Sequence, residues 1–226
     1  MRLLIINIAL LISTVAFTQS RTDSVAVKID TLQEKPSYIP TGLRVGTDLI
    51  SLIKTPVSDQ FDGWEVNADI DFYRYYLTVD VGSWSKTFSS EQQNYSNTGT
   101  YWRVGADINL MLKDPDRNMF FLGLRYAQSS FSEQLNYQFQ DPVFGDGVRN
   151  LTNPSASASW AEITMGLRVK IWKQFWMGYT ARLKIAPGIK GADQFEVYDI
   201  PGYGLASKNT YWGFNYQVYY RIPFKR

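Results

Sequence analysis

YWRVGADINL, residues 101–110, alternates without a break: Trp102, Val104, Ala106, Ile108 and Leu110 fall on one side of an extended chain, and Tyr101, Arg103, Gly105, Asp107 and Asn109 on the other. Successive side chains of a strand point to opposite faces, so this stretch has one wholly apolar face and one that collects charge and glycine. The same register recurs: Trp64, Val66, Ala68, Ile70, Phe72; Phe120, Leu122, Leu124, Tyr126; Ile163, Met165, Leu167, Val169, Ile171; Phe175, Met177, Tyr179, Ala181, Leu183, Ile185; and Trp212, Phe214, Tyr216, Val218, Tyr220, Ile222, Phe224. Alternating segments are expected over about residues 42–53, 62–72, 74–85, 98–112, 118–131, 158–172, 175–186 and 210–224, the first of them blurred at Ile50. Eight strands close a small barrel, and about 9–11 tilted residues suffice to cross a hydrocarbon layer. The expected fold class is all-β, an eight-stranded antiparallel up-and-down transmembrane β-barrel over residues 41–226.

The ends of the chain and its connections agree with that expectation. Arg2, the apolar run over residues 3–15, and Ala16-Phe17-Thr18 ahead of Gln19 read as an export signal over residues 1–18; the run is too short to span a bilayer as a helix. Residues 19–40 mix Asp, Lys, Thr, Glu and Pro without periodicity and read as a periplasmic linker. Short links at Tyr73, residues 113–118 and Lys173-Gln174 alternate with long ones at 54–61, 86–97, 132–157 and 187–209, the outer-membrane pattern of short periplasmic turns and longer outer loops.

The polar face carries Arg44, Asp48, Glu65, Asp69, Asp71, Arg74, Asp80, Arg103, Asp107, Arg125, Glu162, Arg168, Lys170, Arg182, Lys184 and Arg221, interleaved with glycines. An eight-stranded lumen holds side chains and little else, so these ions are expected to form a sealed, salt-bridged centre. An Arg or Lys facing lipid at the midplane costs roughly 2–4 kcal/mol, which excludes the inverted register in a membrane. All seven tryptophans, Trp64, Trp84, Trp102, Trp160, Trp172, Trp176 and Trp212, lie toward segment ends and are expected to form two aromatic girdles at the headgroup level. A soluble, lipocalin-like barrel would invert the sides and enclose a lipophilic ligand.

Composition removes whole classes of chemistry. The 226 residues contain no Cys and no His, which excludes disulfides, thiol nucleophiles, imidazole-based zinc sites and every Ser-His mechanism. The balance of 23 Lys+Arg against 21 Asp+Glu implies no nucleic-acid partner. Asp69 and Asp71 share a strand face, the minimum for glycosidic acid/base work, but lumenal arginines in register explain them as ion pairs. Asp141 and Asp146, beside Gly145 and Gly147, fall short of the six to eight ligands calcium takes and read as turn residues. Asp23-Ser24-Val25 and Asp30-Thr31-Leu32 resemble short O-glycosylation sequons. No catalytic residue, cofactor or metal is expected.

GLRVGTDL (residues 42–49), followed by a loop and by residues 64–72, together with FLGLRYAQSSF (residues 121–131), resembles a family of small outer-membrane barrels of Bacteroidota without an assigned activity; the general shape is similar to OmpA-type and OmpX-type barrels. The resemblance implies fold and location, an outer membrane of a Gram-negative bacterium. One departure is the C-terminus, where Lys225 and Arg226 follow Phe224 and Tyr219 stands where such barrels often have glycine, although residues 216–224 keep the alternation of a signal for the barrel-insertion machinery. The expected function is structural or surface-interacting, through membrane lipid and an envelope or extracellular partner on loops 132–157 and 187–209. Alternatives are a narrow pore for small solutes and the soluble ligand carrier.

Overall fold

Gly42, at one end of the wall, pairs with Pro223 near the other end of the chain, and this pairing closes a ring. The computed structural model describes residues 37–112, 114–141 and 145–224; the export signal, the sequons and the linker as far as residue 36 lie outside the described residues. The wall consists of β1 (Gly42–Asp48), β2 (Phe61–Phe72), β3 (Tyr75–Ser89), β4 (Gln93–Asn109), β5 (Met119–Asp141), β6 (Gly145–Trp172), β7 (Phe175–Lys190) and β10 (Thr210–Pro223). They form a closed barrel of eight strands, each antiparallel to its neighbours, in the order β1-β10-β7-β6-β5-β4-β3-β2. Closure leaves no sheet edge along the paired length, the condition a strand wall must meet in lipid.

Period-two burial runs through the strands. In β2 the pattern alternates from Phe61 to Asp71, and in β4 Arg103, Asp107 and Asn109 are buried while Trp102, Val104 and Ile108 are exposed. The apolar band is therefore on the outside. Residues 64–72 and 102–110 are nine-residue stretches that at about 3.3 Å per residue and a tilt near 40° rise roughly 23 Å, matching the ~25 Å apolar band of such barrels.

Two ends of the barrel differ. At the turn end, β2–β3 and β6–β7 are joined by two-residue hairpins whose first residues, Tyr73 (φ 62) and Lys173 (φ 47), adopt the left-handed conformation that tight hairpins demand. At the loop end the strands outrun their expected limits: β5 and β6 pair as far as Asp141↔Gly145, with a bulge between Phe131 and Glu133, so most of the expected loop 132–157 is a tall two-stranded ribbon. It is joined on one side by β4, which begins at Gln93 opposite Tyr137.

The first strand departs from expectation. β1 stops at Asp48, and residues 49–57 form a helix, α1 (Leu49–Val57), instead of continuing the wall. Asp48 is the reason: its carboxylate accepts from Ser51 N (3.1 Å) and Ser51 Oγ (2.8 Å), an N-cap that satisfies a first-turn donor and turns the chain out of the sheet.

Candidate functional site

The lumen is filled by one alternating chain of ions. Arg44 pairs with Asp69 (2.8 Å), Asp69 with Arg168 (3.0 Å), Arg168 with Asp107 (3.0 Å), and Asp107 with Arg125 (3.1 Å). Arg125 pairs in turn with Asp80, Asp80 with Arg182 (3.1 Å), Arg182 with Glu162 (3.0 Å), Glu162 with Arg103 (3.1 Å) and Arg103 with Glu65 (2.8 Å). Five guanidinium groups thus meet five carboxylates, all buried, and the chain is neutral as a whole. Period two alone puts these side chains inward; β1 through β7 each contribute, so the pairs exist only once the ring has closed.

Neutral groups complete the packing. Asn67 Nδ2 donates to Glu65 (2.8 Å) and Asp80 (2.9 Å), Asn215 Oδ1 accepts from Arg182 Nε (2.6 Å), and Thr180 donates to Gln217 (2.9 Å). Phe121 and Tyr219 lie 4.6 and 5.1 Å from the Arg168 guanidinium carbon, and Tyr76 lies 4.7 Å from that of Arg44, over their ring faces. Tyr219 is accommodated by Gly46 opposite it: a Cβ there would stand 2.5 Å from the ring. Buried amides and aromatics of this kind share the strand parity of the charges, which is the signal that would have found them.

Six of the expected lumenal ions stand outside the chain. Asp48 caps α1 and accepts from Tyr216 N (3.0 Å). Asp71 sits at the turn end, where it accepts from Thr41 and Gly42 N and pairs with Arg221 (3.5 Å) and the half-exposed Arg117 (3.5 Å). Lys184 Nζ donates to two backbone carbonyls, Gly202 (2.8 Å) and Tyr203 (2.9 Å). Two corrections follow. Arg74 lies in the Tyr73-Arg74 turn, at the rim and without an ion pair among the described residues; Lys170 reaches Asp116 (3.0 Å) in the 110–118 turn. Both are too near their strand ends to project into the centre.

The girdle also needs correction. Trp64, Trp102, Trp172 and Trp212 are 46, 40, 61 and 59% exposed on the apolar outside, whereas Trp160 and Trp176 are 2 and 3% exposed inside. Trp160 donates to Glu162 (2.8 Å), and Trp84 packs edge-on against Phe61 and Tyr101 in the loop-end mouth. These three tryptophans share parity with the ions, and parity outranks distance from a strand end.

The loop-end mouth is capped from within. Loop 191–209 bears a small hairpin, β8 (Asp199–Ile200) with β9 (Gly204–Leu205), and Val197, Ile200 and Tyr203 are buried against Tyr101, Ala127, Phe131, Ala156, Ala158 and Trp160. At its turn Gly202 has φ 82, and a Cβ would meet the Tyr101 ring at 2.6 Å. Glu133, on the ribbon, anchors the cap: it accepts from Tyr95 OH (2.5 Å), Asn97 Nδ2 (3.1 Å), and the backbone N–H of Tyr198 and Asp199 (3.3 Å each), while Lys86 pairs with Asp199 (2.8 Å). Burial and the adjoining carboxylate hold the Tyr95 phenol well above the usual tyrosine range. The segment 187–209, expected to face outward as a contact surface, is instead strand to Lys190 and then largely a plug.

Charges inside and apolar groups outside are the reverse of a soluble ligand-carrying barrel, so the inverted assignment is overturned. Groups of three or more carboxylates able to hold a metal are not found among the described residues. An up-and-down barrel of eight antiparallel strands with an ion-packed lumen is the class that fold and site define. The chain belongs to the family DUF6048, described as a domain of unknown function, whose model matches residues 1–226. No curated protein matches it. Among solved structures it is similar to the crystal structure of Acinetobacter baumannii CarO2, at 11% identity and a TM-score of 0.40, over 82% of this chain and 99% of that one.

Proposed function

We propose that this protein is an outer-membrane barrel with a structural or surface-interaction role, its lumen closed and its β4–β5–β6 ribbon raised above the membrane as the contact surface. The observation that carries the reading is the apolar exterior of a closed ring in whose lumen five guanidinium groups meet five carboxylates, since a surface of this kind is stable in acyl chains and not in water. The export signal and the resemblance to Bacteroidota barrels support a Gram-negative outer membrane, with the turn end in the periplasm and the loop end outside. Membrane lipid and the insertion machinery are then the obligatory partners.

The ribbon suits a partner because residues 132–141 alone run roughly 33 Å at about 3.3 Å each beyond the apolar band, and paired strands that leave a sheet present edges and faces for docking. A catalytic step has no place in the proposal. Against a pore stands the neutral ion chain across the lumen, topped by the plug. The test is threefold: the protein should fractionate with the outer membrane, migrate differently on gels with and without boiling, and give no stable channels in planar bilayers. Recovery in the detergent-free periplasmic extract would remove the membrane reading, and steady conductance would remove the closed lumen.

A further inference from the structure

One stretch of the wall lacks a strand. β1 pairs with β10 only from Gly42↔Pro223 to Asp48↔Gln217, and with β2 only as far as Thr47↔Val66. Above that level residues 210–216 of β10 and 61–65 of β2 face each other across α1. The helix sits asymmetrically in this gap. It is fastened to β2, where Thr55 Oγ1 accepts from Gly63 N (2.9 Å) and donates to Gly63 O (3.0 Å), and where Phe61 N reaches Ser58 O (3.2 Å). Toward β10, which the helix also touches, the cap residue Asp48 accepts from Tyr216 N (3.0 Å); by the alternation of an antiparallel strand, Phe214 and Trp212 turn their backbone groups to the same side, with no strand beside them.

A cavity of about 240 Å³ opens at this seam. Its lining includes Trp212 and Phe214, which face outward, and Gly213 and Asn215, which face inward. Consecutive residues of β10 and Ile50, Ser51 and Lys54 of α1 line it together with residues of the lumen mouth, so the cavity lies along the seam between strand and helix. Ile50 borders it on the helix side, and Ile50, Leu52 and Ile53 are exposed along the same helix.

The inner end is cationic. Glu65 and Arg103 neutralise each other and Lys86 is paired with Asp199, so two lysines, Lys54 and Lys184, face one further carboxylate, the helix-capping Asp48. Among the described residues the lysine ion pairs are those of Lys86 and Lys170; Lys184 holds only neutral carbonyls, and Lys54 lies over the Phe61 ring at 4.1 Å.

We propose that the slot between α1 and β10 is a lateral portal at which a single-chain amphiphile of the outer leaflet inserts its acidic head toward Lys54 and Lys184 while its acyl chain stays in the lipid. Sites that enclose a whole ligand measure about 300–1,000 Å³, so this smaller volume suits a headgroup with its tail left outside. The two lysines supply the counter-charge, and the free backbone edge of β10 supplies hydrogen bonds that hydrocarbon does not.

The portal rests on the membrane reading above, and one experiment separates the two. The full-length mature barrel in neutral detergent is mixed with spin-labelled stearic acid, and immobilisation of the label is read by electron paramagnetic resonance. The acid should be retained, its methyl ester should not, and acetate, the head without the tail, should fail to compete. Lys54→Glu, on an exposed helix position, should weaken retention at least tenfold and leave heat-modifiable mobility intact. Equal retention of the ester, competition by acetate, or unchanged retention by the variant would overturn the portal. A protein that does not fractionate with the outer membrane takes both readings down; one that does and still ignores the acid loses the portal alone.

Discussion

Asp80 stands among three guanidinium groups, Arg125, Arg182 (3.1 Å) and Arg103 (3.9 Å), and its removal leaves more buried positive charge than the remaining carboxylates balance. Breaking a buried pair from one side costs about 3–5 kcal/mol, because the partner stays desolvated without compensation. Asp80→Ala should therefore lower the temperature at which the folded gel band converts to the unfolded one by a wide margin. Asp116→Ala removes the exposed partner of Lys170 and should cost less than about 1 kcal/mol, as surface pairs do, leaving that temperature nearly unchanged. A pair of equal effects would show that the lumen is hydrated rather than packed. That Asp80 faces inward follows from its parity in TVDVG (residues 78–82); that it meets Arg125 and Arg182, 45 and 102 positions away, does not, since any inward arginine at the same height would have served.

Helix α1 shows where local pattern misleads. Residues 49–53 are apolar enough to pass for the end of a strand, and only the Asp48 cap to Ser51 discriminates, an i to i+3 contact that a strand cannot make. Its seam to β2 depends on one hydroxyl: Thr55→Val should orphan both Gly63 backbone groups, costing about 1–3 kcal/mol and lowering the same gel transition. The cap over the mouth depends on Glu133. Glu133→Ala should make loop 191–209 cleavable by trypsin at Lys190 or Lys208 while boiling still shifts the gel band, since the clamp lies beyond the apolar band. The pH response has a definite sign. The raised Tyr95 value means that its proton stabilises the folded clamp; this contribution is full below about pH 10, the ordinary tyrosine value, and is lost only as pH rises through the folded value. Protease resistance of the intact clamp should hold through neutral pH and fail in strong alkali. Loss of resistance near neutrality would assign the clamp to another group.

Across the whole molecule the decisive property is which side faces out. Single-tryptophan variants in bilayers of brominated lipid test it: Trp102 and Trp212 should be quenched, Trp160 and Trp176 should not, and quenching of Trp160 would place the ions on the wrong side of the wall. Alternation in the amino-acid order settles the number of wall strands, their sidedness and the parity shared by the ten ions of the lumenal chain, though not the places of Arg74 and Lys170, because period two is a local property and a single register slip would put every charge into lipid. Contacts between distant strands settle the rest. Arg168 reaches Asp69 across 99 positions, the loop after β7 bends into the mouth to bury Ile200 and Tyr203, and β1 gives way to a helix that leaves a slot beside β10. These depend on closure of the ring, which brings together residues whose order along the chain holds no record of their heights and neighbours in the barrel.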